Sequence, residues 1–280
     1  MEKNNNPPKI SVITPSFNQG AFLERTINSV IKQGYPNLEY IIIDGGSTDN
    51  SVEIIRKYEK YLKYWVSEKD KGQSQAFNKG LKIASGDIIG WLNSDDLYLD
   101  RCIFQGVEYF DRNPAIDIVF SDYYFIDGDN KIIKRRREIP FNYNIYLWTA
   151  DCYHANCAGF FRRKVFDIIG GINEDLHYGM DYELYLRAAK SGLKFGHLKA
   201  YWGAYRMHGQ SKSVAGYSLM KNEGETISAL FYSAKISKFG LWWRKIFFKT
   251  LRIVWKFAIG SYGPSSKTSK KLINGEGSID

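Results

Sequence analysis

The chain is poor in the features that mark a disulfide scaffold, a metal cluster or a membrane span. Its 280 residues include three cysteines, Cys102, Cys152 and Cys157, an odd number that no full disulfide pairing absorbs. Cys152 and Cys157 flank His154, but the set lacks the paired spacing of a zinc site. The cysteines therefore read as reduced, buried or half-buried thiols of a cytosolic protein. No run of about 18 uncharged apolar residues is present, which argues against a transmembrane helix. The leading segment MEKNNNPPKI has no apolar h-region, so no secretory signal is expected. No stretch repeats at a fixed period, which excludes a solenoid.

What is present fits a folded core: 44% hydrophobic and 25% charged residues. Aromatics reach 16%, chiefly as large buried area and secondarily as sugar-binding surface. The length suits one large or two small domains. The net charge of +9 is uneven. Residues 235–280 hold ten Lys or Arg against Glu276 and Asp280, so the first 234 residues carry only +1. The basicity belongs to the tail and needs its own explanation.

Along the chain, apolar runs at 10–14, 40–43, 64–67, 88–92 and 116–120 read as strands. Helical spacing at 21–31, 73–84 and 99–110, and a helix opened by Ser47 or Thr48 as cap, alternate with them. That is the pattern of βαβ units and a mostly parallel sheet. Residues 123–139 read as a hairpin turning at Asp127-Gly128-Asp129-Asn130. An irregular stretch runs to about 171, followed by a helix at 180–190 and an extended segment at 195–207. The expected organisation is a disordered 1–8, a nucleotide-binding half at 9–122, an acceptor and catalytic half of the same domain at 123–234, a basic helix at 235–263 and a disordered 264–280.

Ligands of open α/β sheets bind beyond the carboxyl ends of the strands. Three polar clusters fall at such ends: Thr14-Pro15-Ser16-Phe17-Asn18, Asp44-Gly45-Gly46 and Asn93-Ser94-Asp95-Asp96. The glycines admit a ligand close to the backbone. Adjacent carboxylates such as Asp95 and Asp96 repel unless a cation or proton lies between them. Oxygen donors of this kind suit Mg2+ or Mn2+ bridging a diphosphate.

The segments Ile10-Ser11-Val12-Ile13-Thr14-Pro15-Ser16-Phe17-Asn18, Tyr40-Ile41-Ile42-Ile43-Asp44-Gly45-Gly46-Ser47-Thr48-Asp49 and Ser85-Gly86-Asp87-Ile88-Ile89-Gly90-Trp91-Leu92-Asn93-Ser94-Asp95-Asp96 resemble, in order and spacing, the hallmark blocks of family 2 glycosyltransferases of the type A fold. Asp70-Lys71-Gly72-Gln73-Ser74-Gln75-Ala76-Phe77-Asn78-Lys79-Gly80 is similar to a further block, and the likeness covers roughly residues 9–210. It implies an α/β nucleotide-diphospho-sugar transferase fold and an inverting, metal-dependent transfer from a nucleotide sugar. Thr14, Pro15, Ser16 and Asn18 would line the nucleoside pocket beside Gly45, and Asp44 would accept from the base. Lys71, Gly72 and Gln73 would lie near the base and diphosphate. Asn93 stands where the family often has Asp, Ser94 follows, Asp95 would contact ribose or sugar, and Asp96 would ligate the metal.

Tyr178-Gly179-Met180-Asp181-Tyr182-Glu183-Leu184 resembles the block that carries the family's base, although Met180 stands where relatives often have Glu. Asp181 takes that role, with Glu183 as the nearby alternative. A helix N-terminus there would favour the carboxylate form of Asp181. Tyr205-Arg206-Met207-His208-Gly209-Gln210-Ser211 resembles a late block in which His208 would complete the metal shell, with Arg206 and Ser211 suited to phosphate. The stretch 152–161 is expected at the acceptor pocket. Lys134-Arg135-Arg136-Arg137 faces either an anionic acceptor or lipid headgroups, or is a solvated hairpin face.

In the tail, Lys238, Arg244, Lys245, Lys249, Arg252 and Lys256 share one half of a helical wheel. Trp243, Ile246, Phe247, Leu251, Val254, Phe257 and Ala258 share the other. Such a helix suits an anionic membrane interface, or packing on the domain or on a second copy as a homodimer. No nucleic-acid motif accompanies it. The combined expectation is a cytoplasmic enzyme, peripheral on the inner face of the membrane. It would take a UDP-linked donor and a glycan or polyprenyl-linked acceptor in cell-envelope polysaccharide synthesis. Alternatives are a turnover-dead sugar-nucleotide sensor at the membrane and a sugar-nucleotide pyrophosphorylase. The second would want a Gly-rich, Arg/Lys-bearing loop after the first strand, where Thr14-Pro15-Ser16-Phe17-Asn18 stands.

Overall fold

The computed structural model describes residues 7–209, 211, 216–232 and 235–262. The expected disordered ends at 1–6 and 264–280 lie outside the described residues, as does Gln210. Pro7 and Pro8, assigned to that lead-in, are instead tied down: their carbonyls accept from Asn37 Nδ2 and the Tyr35 hydroxyl, both at 2.8 Å.

The first half runs β1 (Ile10–Ser16), α1 (Gly20–Ile31), β2 (Leu38–Asp44), α2 (Ser51–Lys57), β3 (Tyr64–Ser67), α3 (Gln73–Ile83), β4 (Ile88–Trp91), β5 (Leu97–Tyr98) and α4 (Cys102–Arg112). The second runs β6 (Ile118–Ile126), β7 (Ile132–Arg136), α5 (Tyr143–Thr149), β8 (Gly159–Arg162), α6 (Lys164–Ile169), α7 (Met180–Lys190), β9 (Phe195–Arg206), α8 (Tyr217–Phe231) and α9 (Lys238–Ala258). The strands form one sheet in the order β3-β2-β1-β4-β8-β6-β9-β5, with β7 paired to β6. β8 runs against both β4 and β6, and β9 runs with β6. Six strands therefore share a direction, so the sheet is mixed but mostly parallel. The boundary expected at residue 122 falls inside β6.

Both faces of the sheet are covered. In β2, Ile41 and Ile43 join one buried cluster while Tyr40 and Ile42 join the other, as strand alternation requires. After β3 the chain returns to the other side of β1 and enters β4. The carboxyl ends of β1, β2 and β4 thus meet where strand order reverses.

Two local expectations change. The cap before α2 is Asn50 rather than Ser47 or Thr48, because Ser47 Oγ instead donates to Asp44 Oδ1 at 2.5 Å. The stretch to 171 is not irregular: it holds α5, the four-residue β8 and α6.

α9 lies against the domain with its polar side inward. Leu241, Phe248, Trp255 and Ile259 pack on the larger core cluster. Buried Glu138 receives Lys256 Nζ at 2.8 Å, Arg252 Nη2 at 3.3 Å and Arg136 Nε at 2.5 Å. Arg252 also pairs with Asp151 and lies over the Tyr153 ring, 4.3 Å from its centroid. The wheel read from sequence separates the residues correctly. However, two members of its basic half, Arg252 and Lys256, are buried in the domain, while Phe239 and Phe257 stand 67% and 66% exposed. Among the described residues, no helix is long and apolar enough to cross a membrane.

Candidate active site

A cleft of about 1560 Å³ opens over the carboxyl ends of β1, β2 and β4 and continues to α9. It exceeds the several hundred Å³ that one small ligand fills, so it has room for more than one. Pro15, Ser16, Gly45, Gly72, Gln73, Asn93, Ser94, Asp95, Asp96, Asp181 and Ser211 line it. Asp96 and Asp181, from distant parts of the sequence, share this one space.

The strand-end loops hold each other in place. Asn18, at φ 51°, accepts from Thr48 N at 2.8 Å, and its own N–H donates to Ser47 Oγ at 2.8 Å. Asp44 is fully buried and accepts from Gly46 N, Ser47 N, Ser47 Oγ and Ser67 Oγ. Both its oxygens are occupied below the loop, which removes Asp44 from the base-contacting role that the resemblance implied. Thr14 is likewise inside the sheet, 3.2 Å from the Tyr40 hydroxyl, and Asn18 serves as a loop staple outside the cleft wall. Lys71 is exposed and off the cleft, whereas Lys69 and Asp70 line it. A Cβ on Gly45 would come within 2.7 Å of Asp70 Oδ2, so glycine there keeps the two loops close. Ser16 Oγ is buried without a partner at the cleft wall, a hydroxyl ready for a ligand.

Gly72, at φ 122°, delivers the N-terminus of α3 to the cleft. The exposed N–H groups and the helix dipole there favour an anion. Gln73 Nε2 donates to Asn93 Oδ1 at 2.6 Å, and Asn93 Nδ2 approaches Asp96 Oδ2 at 3.3 Å.

The acidic pair divides its work differently from expectation. Asp96 is 1% exposed, and its Oδ1 accepts from Arg206 N at 2.9 Å. Burial, then the neighbouring Asp95, pushes its carboxyl well above the usual range. Asp95 keeps a side chain 19% exposed, and its Oδ2 lies 3.0 Å from His208 Nε2. The Phe22 ring, 4.5 Å away, braces that imidazole. Two donors at right angles, each about 2.1 Å from Mg2+ or Mn2+, lie about 3 Å apart. Asp95 and His208 hydrogen-bond at a spacing that two donors to one such ion would also have, and Asp96 is buried behind them. Among the described residues no three His, Cys, Asp or Glu side chains cluster to hold an ion alone. An ion held there would need further oxygen donors from a ligand or water.

Three further residues move out of the roles expected of them. Arg206 is 1% exposed, and its guanidinium is consumed by the Asp95 and Asp127 carbonyls, each at 2.7 Å, and by Asn130 Oδ1 at 2.6 Å. It fastens the acidic loop to the β6–β7 turn and does not line the cleft. Glu183 faces away from the cleft, paired with Arg187 at 2.7 Å, so it is not a second base. Ser211 Oγ accepts from His208 N at 3.1 Å and shapes the turn that presents the imidazole.

Asp181 sits in the first turn of α7, whose cap is Gly179. Its Oδ1 accepts from Tyr182 N at 2.7 Å, and the Cys152 thiol and Asn156 amide adjoin it. Desolvation nevertheless dominates these bonds and pushes the carboxyl up to about 6. The expected dipole effect is thus outweighed. Cys152 and Asn156 fall within the stretch expected at the acceptor pocket. Asp70, Phe17 and the contribution of α9 to the cleft went unrecognised in the sequence. Asp70 opens the block that holds Lys71, Gly72 and Gln73, which is the sequence signal for its place at the cleft.

A sequence profile of glycosyl transferase family 2 matches residues 11–170. Chondroitin synthase of Escherichia coli is 26% identical over 76% of this chain, and the match spans only 31% of that protein's length. An uncharacterized glycosyltransferase of Mycobacterium tuberculosis is 34% identical over 65% of this chain and 69% of its own. Among solved structures, the mannosyltransferase PcManGT from Pyrobaculum calidifontis, in complex with GDP-Man and Mn2+, aligns over 97% of this chain and 80% of its own, with TM-score 0.62 and 17% identity. S. aureus TarS in complex with UDP-GlcNAc aligns over 72% of this chain and 60% of its own, with TM-score 0.57 and 19% identity. These likenesses show the type A transferase fold.

Proposed function

The chain belongs to glycosyl transferase family 2, and we propose that it moves a sugar from a UDP-linked donor to a hydroxyl of a glycan or lipid-linked acceptor, with inversion, in cell-envelope polysaccharide synthesis. One observation carries the reading: the acidic strand end, the α3 N-terminus and Asp181 line a single cleft. The likeness to a chondroitin synthase, and the UDP-GlcNAc in TarS, support a UDP-linked donor and a glycan product.

In this reading Ser16 and Gly45 admit the nucleoside, and the first N–H groups of α3 face the diphosphate. Asp95 and His208 would hold Mn2+ or Mg2+, whose chemistry when bound would be to neutralise charge on the departing diphosphate. Asp181 accepts the acceptor hydroxyl proton as the new C1–O bond forms. The opposite C1–O bond to phosphate breaks, and the nucleoside diphosphate leaves with the electron pair. One base and one displacement give inversion. The exposed aromatic face of α9 supports a peripheral position at an anionic membrane surface, on the cytoplasmic side in this reading.

The test is thermal unfolding with UDP, dTDP and GDP, each with and without Mn2+. UDP with Mn2+ at about 100 times its Kd is expected to raise Tm by roughly 5 °C. His208→Ala should raise the Mn2+ concentration giving half of that shift by about tenfold. A chain that responds to no nucleotide with Mn2+ is not a nucleotide-sugar enzyme. An unchanged Mn2+ midpoint in His208→Ala would move the ion elsewhere.

A further inference from the structure

We propose that the far end of the cleft is a phosphate site for the acceptor. The inner stripe of α9 takes the phosphate headgroup of a lipid-linked acceptor, whose hydrocarbon chain remains in the bilayer at the outer stripe. The inference rests on the transferase reading above, since it assigns that reaction's second substrate.

Lys245, Lys249, Arg252 and Lys256 recur at i, i+4, i+7 and i+11, one face of a helix, and all four line the cleft. Arg136 of β7 joins them. Their counter-charges are fewer. Glu138 answers Arg136, Arg252 and Lys256; Asp151 answers Arg252; Glu225 answers Lys245 at 3.5 Å. Five cations meet three carboxylates, and Lys249 has no ion pair among the described residues. Arg252 is 9% exposed, and its Nε–H is buried without an acceptor. A surplus of two positive charges, with an unsatisfied guanidinium N–H at a cleft wall, calls for an anion carrying several oxygens. None of these cations belongs to the strand-end loops that address the donor.

The location ties this anion to the reacting hydroxyl. Asp151, the partner of Arg252, precedes Cys152, whose thiol adjoins Asp181. The α9 cations and the proposed base thus line one cleft and are linked through adjacent residues, Asp151 and Cys152.

The opposite face of the same helix says where the rest of the acceptor is. Phe239, Trp242, Trp243, Phe247, Val254 and Phe257 are all more than half exposed, on the side away from the docked Leu241, Phe248 and Trp255. Aromatic and aliphatic side chains in such a stripe suit the boundary of headgroups and acyl chains. A phosphate joined to a long hydrocarbon satisfies both faces at once. A carboxylate sugar or free phosphate satisfies only the inner one.

The test uses the full chain saturated with UDP and Mn2+, titrated calorimetrically with farnesyl phosphate, farnesol, inorganic phosphate and benzyl glucuronide. Farnesyl phosphate should bind at least about tenfold tighter than any of the other three. The double variant Lys245→Gln/Lys249→Gln should weaken it by about tenfold. Both lysines are exposed, so the variant keeps the fold even where Arg252→Gln would not. Equal binding of farnesol, equal binding of inorganic phosphate, preference for the glucuronide, or an unaffected double variant would each overturn the proposal. UDP binding, measured first, separates the two readings. Its absence sinks the transferase reading, while its presence without discrimination among the four probes sinks only this one.

Discussion

Asp181→Asn is expected to lower sugar transfer by roughly 10²–10⁴-fold while UDP and Mn2+ still bind. The substitution keeps the size of the side chain and the oxygen that accepts from Tyr182 N, and removes only the ability to take a proton. Because burial pushes the carboxyl up to about 6, wild-type kcat/KM should fall below that pH, not near 4 as for an ordinary aspartate. The same shift has a stability consequence of opposite sense. Between about pH 4 and pH 6 the folded chain retains a proton that the unfolded chain has released, so stability falls as pH rises through that window. Asn never ionises. Asp181→Asn should therefore be more stable than wild type above pH 6, by about 1–2 kcal/mol after discounting for partial solvent access. The difference should vanish below about pH 4. Activity and unfolding measured across pH 4–8 check both halves. Turnover that survives in Asp181→Asn would remove Asp181 from the reaction. A wild type that binds UDP but never turns over would favour a sensor.

Glu138→Gln should produce the largest loss of stability, about 3–5 kcal/mol. The carboxylate is fully buried, and three cations converge on it. Neutralising it leaves Arg136, Arg252 and Lys256 facing one another with only Asp151 between them, and α9 should come away from the domain. Thermal unfolding, with protease cutting near residue 238 as the readout of release, tests this. Glu138→Leu combined with Lys256→Met and Arg252→Met should recover part of the loss, since of the three cations only Arg136 is then left without its carboxylate. A loss under about 1 kcal/mol would mean that the apolar contacts of Leu241, Phe248 and Trp255 suffice to hold the helix.

The framework of the fold was legible because its signals are local. The runs at 10–14, 40–43 and 88–92 are apolar, short and closed by polar turns, and each marks a strand ending at the cleft, β1, β2 and β4. β8 was not legible: four residues, Gly159–Arg162, become a strand only through β4 and β6 on either side. The site shows the same division. Which side chains gather at a strand end follows from where the strands stop. Which carboxylate is buried and which faces the ligand depends on partners far away in sequence. Arg206 N, 110 positions on, takes an oxygen of Asp96, and His208 selects Asp95. Arg206 itself read as a phosphate ligand because nothing local reveals that the 127–130 turn consumes its guanidinium. For α9, periodicity separated the two halves of the wheel, but Glu138, distant in sequence, determined which half turns inward.

β6 is shared property: its edges pair with β8 and β9, and its far end with β7, with register shifts at 121–123 and 125–126, so the two halves of the chain hang on one strand. Two lobes joined that way have no hinge about which to open and shut like jaws. Substrates must then be admitted and released at the margins, by rearrangement of connecting segments or by a rocking α9, and turnover will respond to the stiffness of those margins more than to that of the sheet.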